Sequence, residues 1–290
     1  MKSEMIGIVG VGLMGHGIAS NVQKSGYSIG FVDHPGNQPT ETLRAGGAWV
    51  ATTPSELAAK CATLILCLTG SFQVEQVIGG SEGILAGMQP GTVVIDCSTA
   101  LPDSTRKFAV MIEDAGGKML DAPMTRTPKE AAEGRLNLIV GGERLLYDEK
   151  KELLKSFAEN ITYAGPQGAG HTMKLLHNFV SLGFSAVLSE AAAASNRAGI
   201  DPAVLNDVLA HGGGAGVILN RLAPFILQQD ASSFQFTLAN AFKDIDYYCQ
   251  VADALGTPST IARSVRETYE TPVRNGHASD FVPQLISILG

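Results

Sequence analysis

The fold of this 290-residue chain is decided by Gly10-Val11-Gly12-Leu13-Met14-Gly15, which follows an apolar run at residues 5–9. The run predicts a buried strand, and the residues after the glycines predict a helix from about residue 14 to residue 25. Glycine permits so tight a turn and lets backbone N–H groups approach a pyrophosphate, whose charge a helix N-terminus favours. In this context the motif predicts a dinucleotide-binding domain, the alternative being a purely structural turn.

Asp33 follows a second predicted strand, at residues 29–32, and lies eighteen residues after the last glycine of the motif. A carboxylate in this place accepts hydrogen bonds from a ribose 2′-OH and repels a 2′-phosphate. The nearest arginine along the sequence is Arg44, so none follows directly to receive a phosphate. The sequence therefore favours NAD over NADP. The alternative is that Asp33 only caps the turn that comes after it.

Composition excludes several classes of function. A formal net charge of −7 argues against a nucleic-acid surface. The four cysteines are scattered without metal-type spacing, which predicts free thiols in a reducing cytoplasm and no bound metal. No uninterrupted apolar run approaches the length of about 18 residues that a membrane span needs, and the chain opens on a strand rather than a signal peptide. We therefore expect a cytoplasmic protein with no membrane or nucleic-acid partner.

Two domains are expected from the order of predicted elements. Strand-like and helix-like segments alternate up to residue 165, which predicts a Rossmann-type, doubly wound parallel sheet with helices on both faces. From about residue 170 to residue 198 there is no proline, and the pattern stays helical from there to the last residues. We predict an α/β dinucleotide-binding domain at residues 1–165. An all-α domain for substrate and oligomerisation is predicted at residues 166–290, joined to the first through the long helix.

The long predicted helix carries Lys174, His177, Asn178 and Ser181, whose spacing places them on one face. Their neighbours are largely apolar, which predicts a helix buried nearly all round. Burying a lysine is costly, and desolvation lowers the pKa of its ammonium group, as a general acid/base near neutral pH requires. The alternative is a polar stripe on an amphipathic helix. His177 is predicted to be a hydrogen-bonding pocket residue, since no second ligand stands at metal-binding spacing.

An ordered set of motifs resembles the β-hydroxyacid dehydrogenase family, which includes 3-hydroxyisobutyrate dehydrogenase and tartronate semialdehyde reductase. The motifs cover nearly all of the chain. They are the glycine motif from Gly7 to Gly15, Asp96-Cys97-Ser98-Thr99, Asp121-Ala122-Pro123-Met124-Thr125, the helix from Gly168 through Lys174 to Asn178, and Phe242-Lys243-Asp244.

The resemblance implies roles for the matching residues. Lys174 would be the general acid/base and Asn178 would orient the substrate. Asp244 would either orient Lys243, which approaches the nicotinamide, or be a structural ion-pair partner. Ser98 or Thr99 would hydrogen-bond near the substrate and the nicotinamide, or cap a helix. The implied substrate contacts are Ser98, Thr125, Arg126, His177 and Ser181, and the implied cofactor contacts are Gly10, Gly12, Leu13, Met14, Gly15, Asp33, Leu68, Thr69, Thr99 and Lys243.

Three departures from the family pattern lie at the predicted pocket. Thr125-Arg126-Thr127-Pro128 stands where many members have Ser-Gly-Gly, His177-Asn178 where many have Asn-Asn, and Thr69-Gly70-Ser71 where many have a proline. A guanidinium binds an anionic group through two parallel hydrogen bonds. Arg126 resembles the arginine that grips the sulfonate in sulfolactaldehyde reductases of this family. The alternative is an arginine that faces solvent.

These observations predict an NAD(H)-dependent oxidoreductase that interconverts a small β-hydroxy acid, or a related anionic alcohol, and its aldehyde or semialdehyde. Hydride would pass between nicotinamide C4 and the substrate carbon, and Lys174 would exchange the proton. Arg126 would hold a distal carboxylate or sulfonate. The alternatives are an imine reductase-like enzyme and a non-catalytic dinucleotide-binding scaffold or sensor. We predict a homodimer or homotetramer. The apolar segments at residues 217–219 and 281–289 favour self-association, and members of the resembled family commonly associate through this domain.

Overall fold

The computed structural model describes residues 4–290. The chain divides into two compact units, the first ending at Lys174 and the second running from Leu175 to Gly290. This division falls inside the long helix, whereas the sequence places a domain boundary at residue 165. The first turns of that helix pack within the first unit, because His171 is hydrogen-bonded there to Asp121.

The first unit is built on one sheet of nine strands. The strands are β1 (Met5–Val9), β2 (Ser28–Val32), β3 (Trp49–Ala51), β4 (Thr63–Leu66), β5 (Val93–Asp96), β6 (Lys118–Asp121), β7 (Met124–Thr125), β8 (Leu136–Gly142) and β9 (Ala158–Gly165). Their order is β3-β2-β1-β4-β5-β6-β8-β7, with β9 also paired to β8. The first six strands are parallel. The strand order reverses beside β1, where ligands collect in sheets of this kind.

The predicted Rossmann-type sheet is confirmed, and its far edge differs from a purely parallel sheet. β8 runs antiparallel to both β6 and β7, while β9 runs parallel to β8. The sequence pattern does not predict β7 or β9. β7 has only two residues, and β9 is largely exposed, so neither shows the apolar run of a buried parallel strand.

Helices cover both faces of this sheet. They are α1 (Gly15–Lys24), α2 (Glu41–Ala45), α3 (Pro54–Ala58), α4 (Ser71–Gly79), α5 (Ile84–Gly87), α6 (Pro102–Asp114), α7 (Pro128–Ala132) and α8 (Arg144–Leu154). α3 begins after Thr53, whose Oγ1 accepts the Glu56 N–H at 3.1 Å and so caps the helix. Alternate strand residues enter two separate cores, Ile65 in one and Leu64 in the other, as a sheet covered on both faces requires.

The second unit is helical, as predicted. Its helices are α9 (Ala169–Arg197, shared with the first unit), α10 (Pro202–Ala210), α11 (Val217–Gln228), α12 (Leu238–Leu255), α13 (Thr260–Pro272) and α14 (Leu285–Leu289). One core holds them together, and it includes Leu182, Leu222 and Ile245. Within that core the Tyr269 hydroxyl donates to the carbonyl of Leu182 at 2.8 Å, which satisfies an otherwise buried polar group.

The length and composition of α9 would suffice to cross a membrane, and 44% of its most apolar window is buried inside the fold. One such helix argues only weakly for a membrane span. A core helix of a globular protein has the same length and composition.

Candidate active site

The glycine turn joins β1 to α1, and two of its glycines are required by sterics. Gly10 has a φ of +92°, and a Cβ there would lie 2.2 Å from the carbonyl oxygen of Cys67. A Cβ at Gly15 would lie 1.8 Å from the Gly10 oxygen. Gly12 is different, because a Cβ there would meet only the Gly36 oxygen, at 3.8 Å. The turn therefore needs Gly10 and Gly15 for its own shape and leaves open space at Gly12.

This open space fits a pyrophosphate. No side chain caps the N-terminus of α1, so its first N–H groups are not used by a capping residue. Leu13 is 60% exposed and Met14 is half-buried against the core. Their contact with a cofactor stays a prediction.

Asp33 lies just after β2, and its carboxylate already has a cationic partner. Arg44 Nη2 of α2 is 3.3 Å from Asp33 Oδ1, and both side chains are largely exposed. The expectation that Asp33 has no arginine nearby is therefore wrong, because the fold brings Arg44 next to it. Eleven residues separate the two along the chain, and the turn into α2 brings them together.

The loops that follow β4 and β5 lie side by side, since Leu66 pairs with Asp96 in the sheet. The Ser98 hydroxyl accepts the backbone N–H of Leu68 at 3.0 Å and is almost fully buried. Thr99 is half-buried and Thr69 is exposed. Neither Ser98 nor Thr99 caps α6, whose N-terminal cap position is Leu101 with no side-chain cap bond. Ser98 therefore ties the two loops together.

A fully buried cluster beneath these loops is not predicted by the sequence analysis. Asp96, Asp121 and His171 have no exposed surface. The Nε2 of His171 is 3.9 Å from Asp96 and its Nδ1 is 3.9 Å from Asp121. Nε2 also donates to the Ser98 carbonyl at 3.1 Å, and Nδ1 lies 2.7 Å from Thr105 Oγ1. The sequence offers one indication of this cluster, which is that Asp96 and Asp121 each end a strand and that these two strands are adjacent.

The cluster fixes the start of α9. The Asp121 carboxylate accepts N–H bonds from the backbones of Gly168 and His171 at 2.8 Å and from the Gln167 side chain at 3.1 Å. Burial raises the pKa of the Asp96 carboxyl, although the neighbouring His171 opposes this rise. Lys174 follows three residues after His171, so the turn that precedes it is anchored to β6.

The two predicted substrate residues Thr125 and Arg126 are the last residue of β7 and the first residue of the loop after it. The Asn137 amide donates to Thr125 Oγ1 at 3.1 Å. Arg126 has a φ of +84°, a conformation that favours glycine. Its Nη1 contacts the carboxylate of Glu159 and the carbonyl of Arg135. The side chain is therefore paired inside the first unit, and its contact with an anionic substrate stays a prediction.

The four residues of the polar stripe of α9 differ in burial. Lys174 is 8% exposed and Asn178 is 5% exposed, as expected for buried site residues. Ser181 is half-buried, with its hydroxyl 3.4 Å from the Asn178 carbonyl. His177 is exposed, so the burial expected of this helix does not extend to it, and its role as a pocket residue stays a prediction. His177 lies three residues after Lys174, at the edge of the polar stripe.

The expectation that α9 is buried nearly all round is also wrong. An apolar stripe of this helix faces outward, formed by Met173, Leu176, Val180 and Val187, which are 40–70% exposed. Hydrophobic content alone therefore did not indicate which side of the helix meets the core.

A second polar chain lies inside the helical unit. The Asn178 amide donates to Asp244 Oδ2 at 2.6 Å, and Lys243 Nζ lies 2.8 Å from Asp244 Oδ1. Asp244 is 2% exposed. His177 Nδ1 lies 2.9 Å from the Asn178 amide oxygen. Asp244 therefore both pairs with Lys243 and holds Asn178, and the approach of Lys243 to a nicotinamide stays a prediction.

Among residues 4–290, no group of three or more His, Cys, Asp and Glu side chains could hold a metal ion.

Family comparisons agree with this architecture. The family model described as the NAD binding domain of 6-phosphogluconate dehydrogenase matches residues 5–165. A second model, described as NAD-binding of NADP-dependent 3-hydroxyisobutyrate dehydrogenase, matches residues 168–288. The chain belongs to the β-hydroxyacid dehydrogenase family. The resemblance seen in the motifs is thereby confirmed, and so is a domain that binds NAD(P).

Individual relatives are similar over most of the chain. An L-threonate dehydrogenase of Cupriavidus necator is 27% identical over 99% of this chain and 96% of its own. The cytokine-like nuclear factor N-PAC of Mus musculus is 28% identical over 92% of this chain, which spans 47% of that longer protein. A crystal structure of a 3-hydroxyisobutyrate dehydrogenase from Salmonella typhimurium has a TM-score of 0.86 at 27% identity, covering 99% of this chain and all of the other.

Proposed function

We propose that the protein is an NAD(H)-dependent oxidoreductase that interconverts a small β-hydroxy acid, or a related anionic alcohol, and its aldehyde or semialdehyde. The burial of Lys174 carries this proposal. A lysine that is 8% exposed, on a helix whose start is anchored by three N–H bonds to Asp121, has a defined position and little water around it. Those are the conditions for a general acid/base.

The residues divide the work of the reaction. When bound, the nicotinamide supplies hydride at C4 for reduction and accepts it in oxidation. As hydride reaches the carbonyl carbon, the ammonium group of Lys174 donates a proton to the oxygen, so that the C=O bond becomes CH–OH. In oxidation the lysine takes that proton back. Asn178, held by Asp244, orients the substrate, with Ser181 and His177 beside it on the same helix.

Substrate choice would depend on the end of β7 and the loop after it. Thr125 would hydrogen-bond the substrate, and Arg126 would bind its distal carboxylate or sulfonate after leaving Glu159. Breaking the pair with Glu159 costs little free energy, because an exposed ion pair contributes only about 0–1 kcal/mol to stability. The name of the Cupriavidus necator relative adds a threonate-type hydroxy acid to the substrates worth testing.

Cofactor binding is assigned to the first unit. The pyrophosphate would lie over Gly12 with Leu13 and Met14 beside it, and the nicotinamide would contact Leu68, Thr69 and Thr99. Asp33 would accept the ribose 2′-OH, which favours NAD(H) over NADP(H).

Self-association is proposed from the outward apolar stripe of α9. Val204 and Val208 of α10 are also more than half exposed. Burying such residues between copies is favourable at about 25 cal/mol per Å² of apolar surface. Of the predicted segment at residues 217–219, only Val217 is exposed. Light scattering should give a homodimer or homotetramer in a protein we expect to be cytoplasmic, and a particle of 30.4 kDa at micromolar concentration would contradict it.

A panel of aldehydes and alcohols tests the activity. Methylmalonate semialdehyde, tartronate semialdehyde, succinate semialdehyde and sulfolactaldehyde are offered with NADH and with NADPH, and the reverse reactions use the matching hydroxy acids and threonate. We expect turnover of at least one anionic pair, faster with NADH. Binding of NADH without turnover of any pair would favour a scaffold or sensor, a class that the name of the nuclear factor relative keeps in view. Turnover of cyclic imines alone would favour an imine reductase. Lys174 argues against that alternative, because imine reductases generally lack this lysine.

A further inference from the structure

We propose that Arg44 is a cofactor-specificity residue: its guanidinium receives the 2′-phosphate of NADPH and so offsets the repulsion by Asp33. This inference rests on the proposed cofactor site and concerns its adenosine end. It implies a weaker preference for NADH than a lone carboxylate after β2 would impose.

Three contacts hold the Arg44 guanidinium in place. Its Nε donates to Thr40 Oγ1 at 3.0 Å, and Nη2 lies 3.3 Å from Asp33 Oδ1. The guanidinium carbon lies 5.5 Å from the centroid of the Phe31 ring, which is fully buried in β2. The charge is thus positioned beside Asp33 before any ligand arrives.

The segment that carries both residues borders the glycine turn. The backbone N–H of Gln38 donates to the Val11 carbonyl at 2.8 Å. The Gly36 oxygen is the atom that a Cβ at Gly12 would approach most closely. In this fold a carboxylate after the second strand meets the ribose, and a nearby arginine accommodates a 2′-phosphate. Asp33 and Arg44 therefore occupy the two positions that distinguish the cofactors.

The ion pair can open at small cost. A guanidinium has five N–H donors, and the contacts with Thr40 and Asp33 use two of them. The side chains are 45% and 62% exposed, so their mutual attraction is strongly screened. A phosphate monoester, with a charge of about −1.5 to −2 at neutral pH, competes well for the same guanidinium. With NADH the pair stays closed, and Asp33 still accepts the 2′-OH.

The test measures binding and needs no turnover. Adenosine 2′,5′-bisphosphate and AMP are titrated calorimetrically into the parent protein, Arg44→Gln and Arg144→Gln, and NADPH and NADH are titrated by fluorescence. Arg144 is the matched control, since it is an exposed arginine in a 2.9 Å pair with Asp148 on α8. We expect Arg44→Gln to weaken binding of the two 2′-phosphate ligands about five- to twentyfold, and of AMP and NADH less than twofold. The control should change neither.

The remaining outcomes separate the possible failures. Equal weakening of both ligand classes would overturn the inference, because Arg44 would then only support the loop. No weakening would overturn it as well. Asp33→Asn should strengthen bisphosphate binding, and more so with Arg44 present than in the Arg44→Gln background. If the parent bound none of the four ligands, the cofactor site itself would be wrong, whereas binding without turnover would leave this inference standing and remove the proposed activity.

Discussion

Two turns of the first unit adopt left-handed backbone conformations and differ in how they do so. At Gly10 the φ of +92° is accompanied by a steric demand, since any side chain would strike the carbonyl of Cys67. At Arg126 the φ of +84° is adopted by a long, charged residue. For a non-glycine residue this conformation costs about 1–2 kcal/mol. At Gly10 the backbone geometry excludes any side chain. At Arg126 a long side chain is present although the backbone conformation disfavours it.

The difference between the two turns separates a cofactor-binding part of the proposed site, which is common to the family, from a substrate-binding part that is particular to this protein. The glycine turn would bind a pyrophosphate through backbone N–H groups, which do not depend on the identity of a side chain. The Arg126 turn carries an arginine in a conformation that favours glycine, which agrees with the role that we propose for its guanidinium in anion binding. Changes in the first turn should therefore affect every substrate, and changes in the second should affect only anionic ones.

The largest effect that separates the turns is expected from Arg126→Gly. The substitution removes a charge-assisted bidentate contact worth about 1.5–3 kcal/mol, so kcat/KM for anionic aldehydes should fall about 10- to 150-fold. Small uncharged aldehydes should be spared, and glycine suits the local φ. Steady-state kinetics on matched charged and uncharged substrates measure the selectivity.

Arg126→Lys is the control for that change. An ammonium group keeps the charge but lacks the planar fork, so it should recover only part of the loss. If both substrate classes lose equally, Arg126 supports the loop or the cofactor. If neither loses, the distinction between the two turns fails.

A smaller effect is expected from Gly12→Ala. The new Cβ has room in the protein, so the melting temperature should stay within the error of the parent. It would occupy the space proposed for the pyrophosphate, and the Kd for NADH should rise at least about tenfold, the equivalent of one lost charged hydrogen bond. Gly15→Ala is the contrast, since its Cβ clashes with the Gly10 oxygen and the fold itself should lose stability. Unchanged NADH affinity in Gly12→Ala would place the cofactor elsewhere.

The smallest effect is expected from Glu159→Gln, which frees Arg126 without altering it. Exposed ion pairs are weak, so KM for anionic aldehydes should fall by no more than about fivefold. Arg126 lowers the pKa of the Glu159 carboxyl, so the pair persists above that lowered pKa and is lost as the pH falls through it. The gain from the substitution should therefore fade in acid. A rise in KM would show that Glu159 assists anion binding.

How far the sequence predicts the molecule depends on how local each interaction is. The glycine turn between β1 and α1 follows from nearby residues, and it is confirmed. The buried cluster joins Asp121 to His171 across fifty residues, and no periodic pattern announces such a contact. The same holds for Arg44 beside Asp33 and for Glu159 beside Arg126. Burial of α9 depends on tertiary packing, so its sequence could not assign His177 to the exposed side.

The most direct test of the proposed activity is a single-turnover measurement of hydride transfer in Lys174→Ala. NADH is bound in excess, an aldehyde identified by the panel is mixed in, and the loss of reduced nicotinamide absorbance is followed. We predict a rate lower by about 10²–10⁴, the usual range for a lost general acid/base, with the Kd for NADH nearly unchanged. Equal rates in the variant and the parent would contradict the assignment of Lys174.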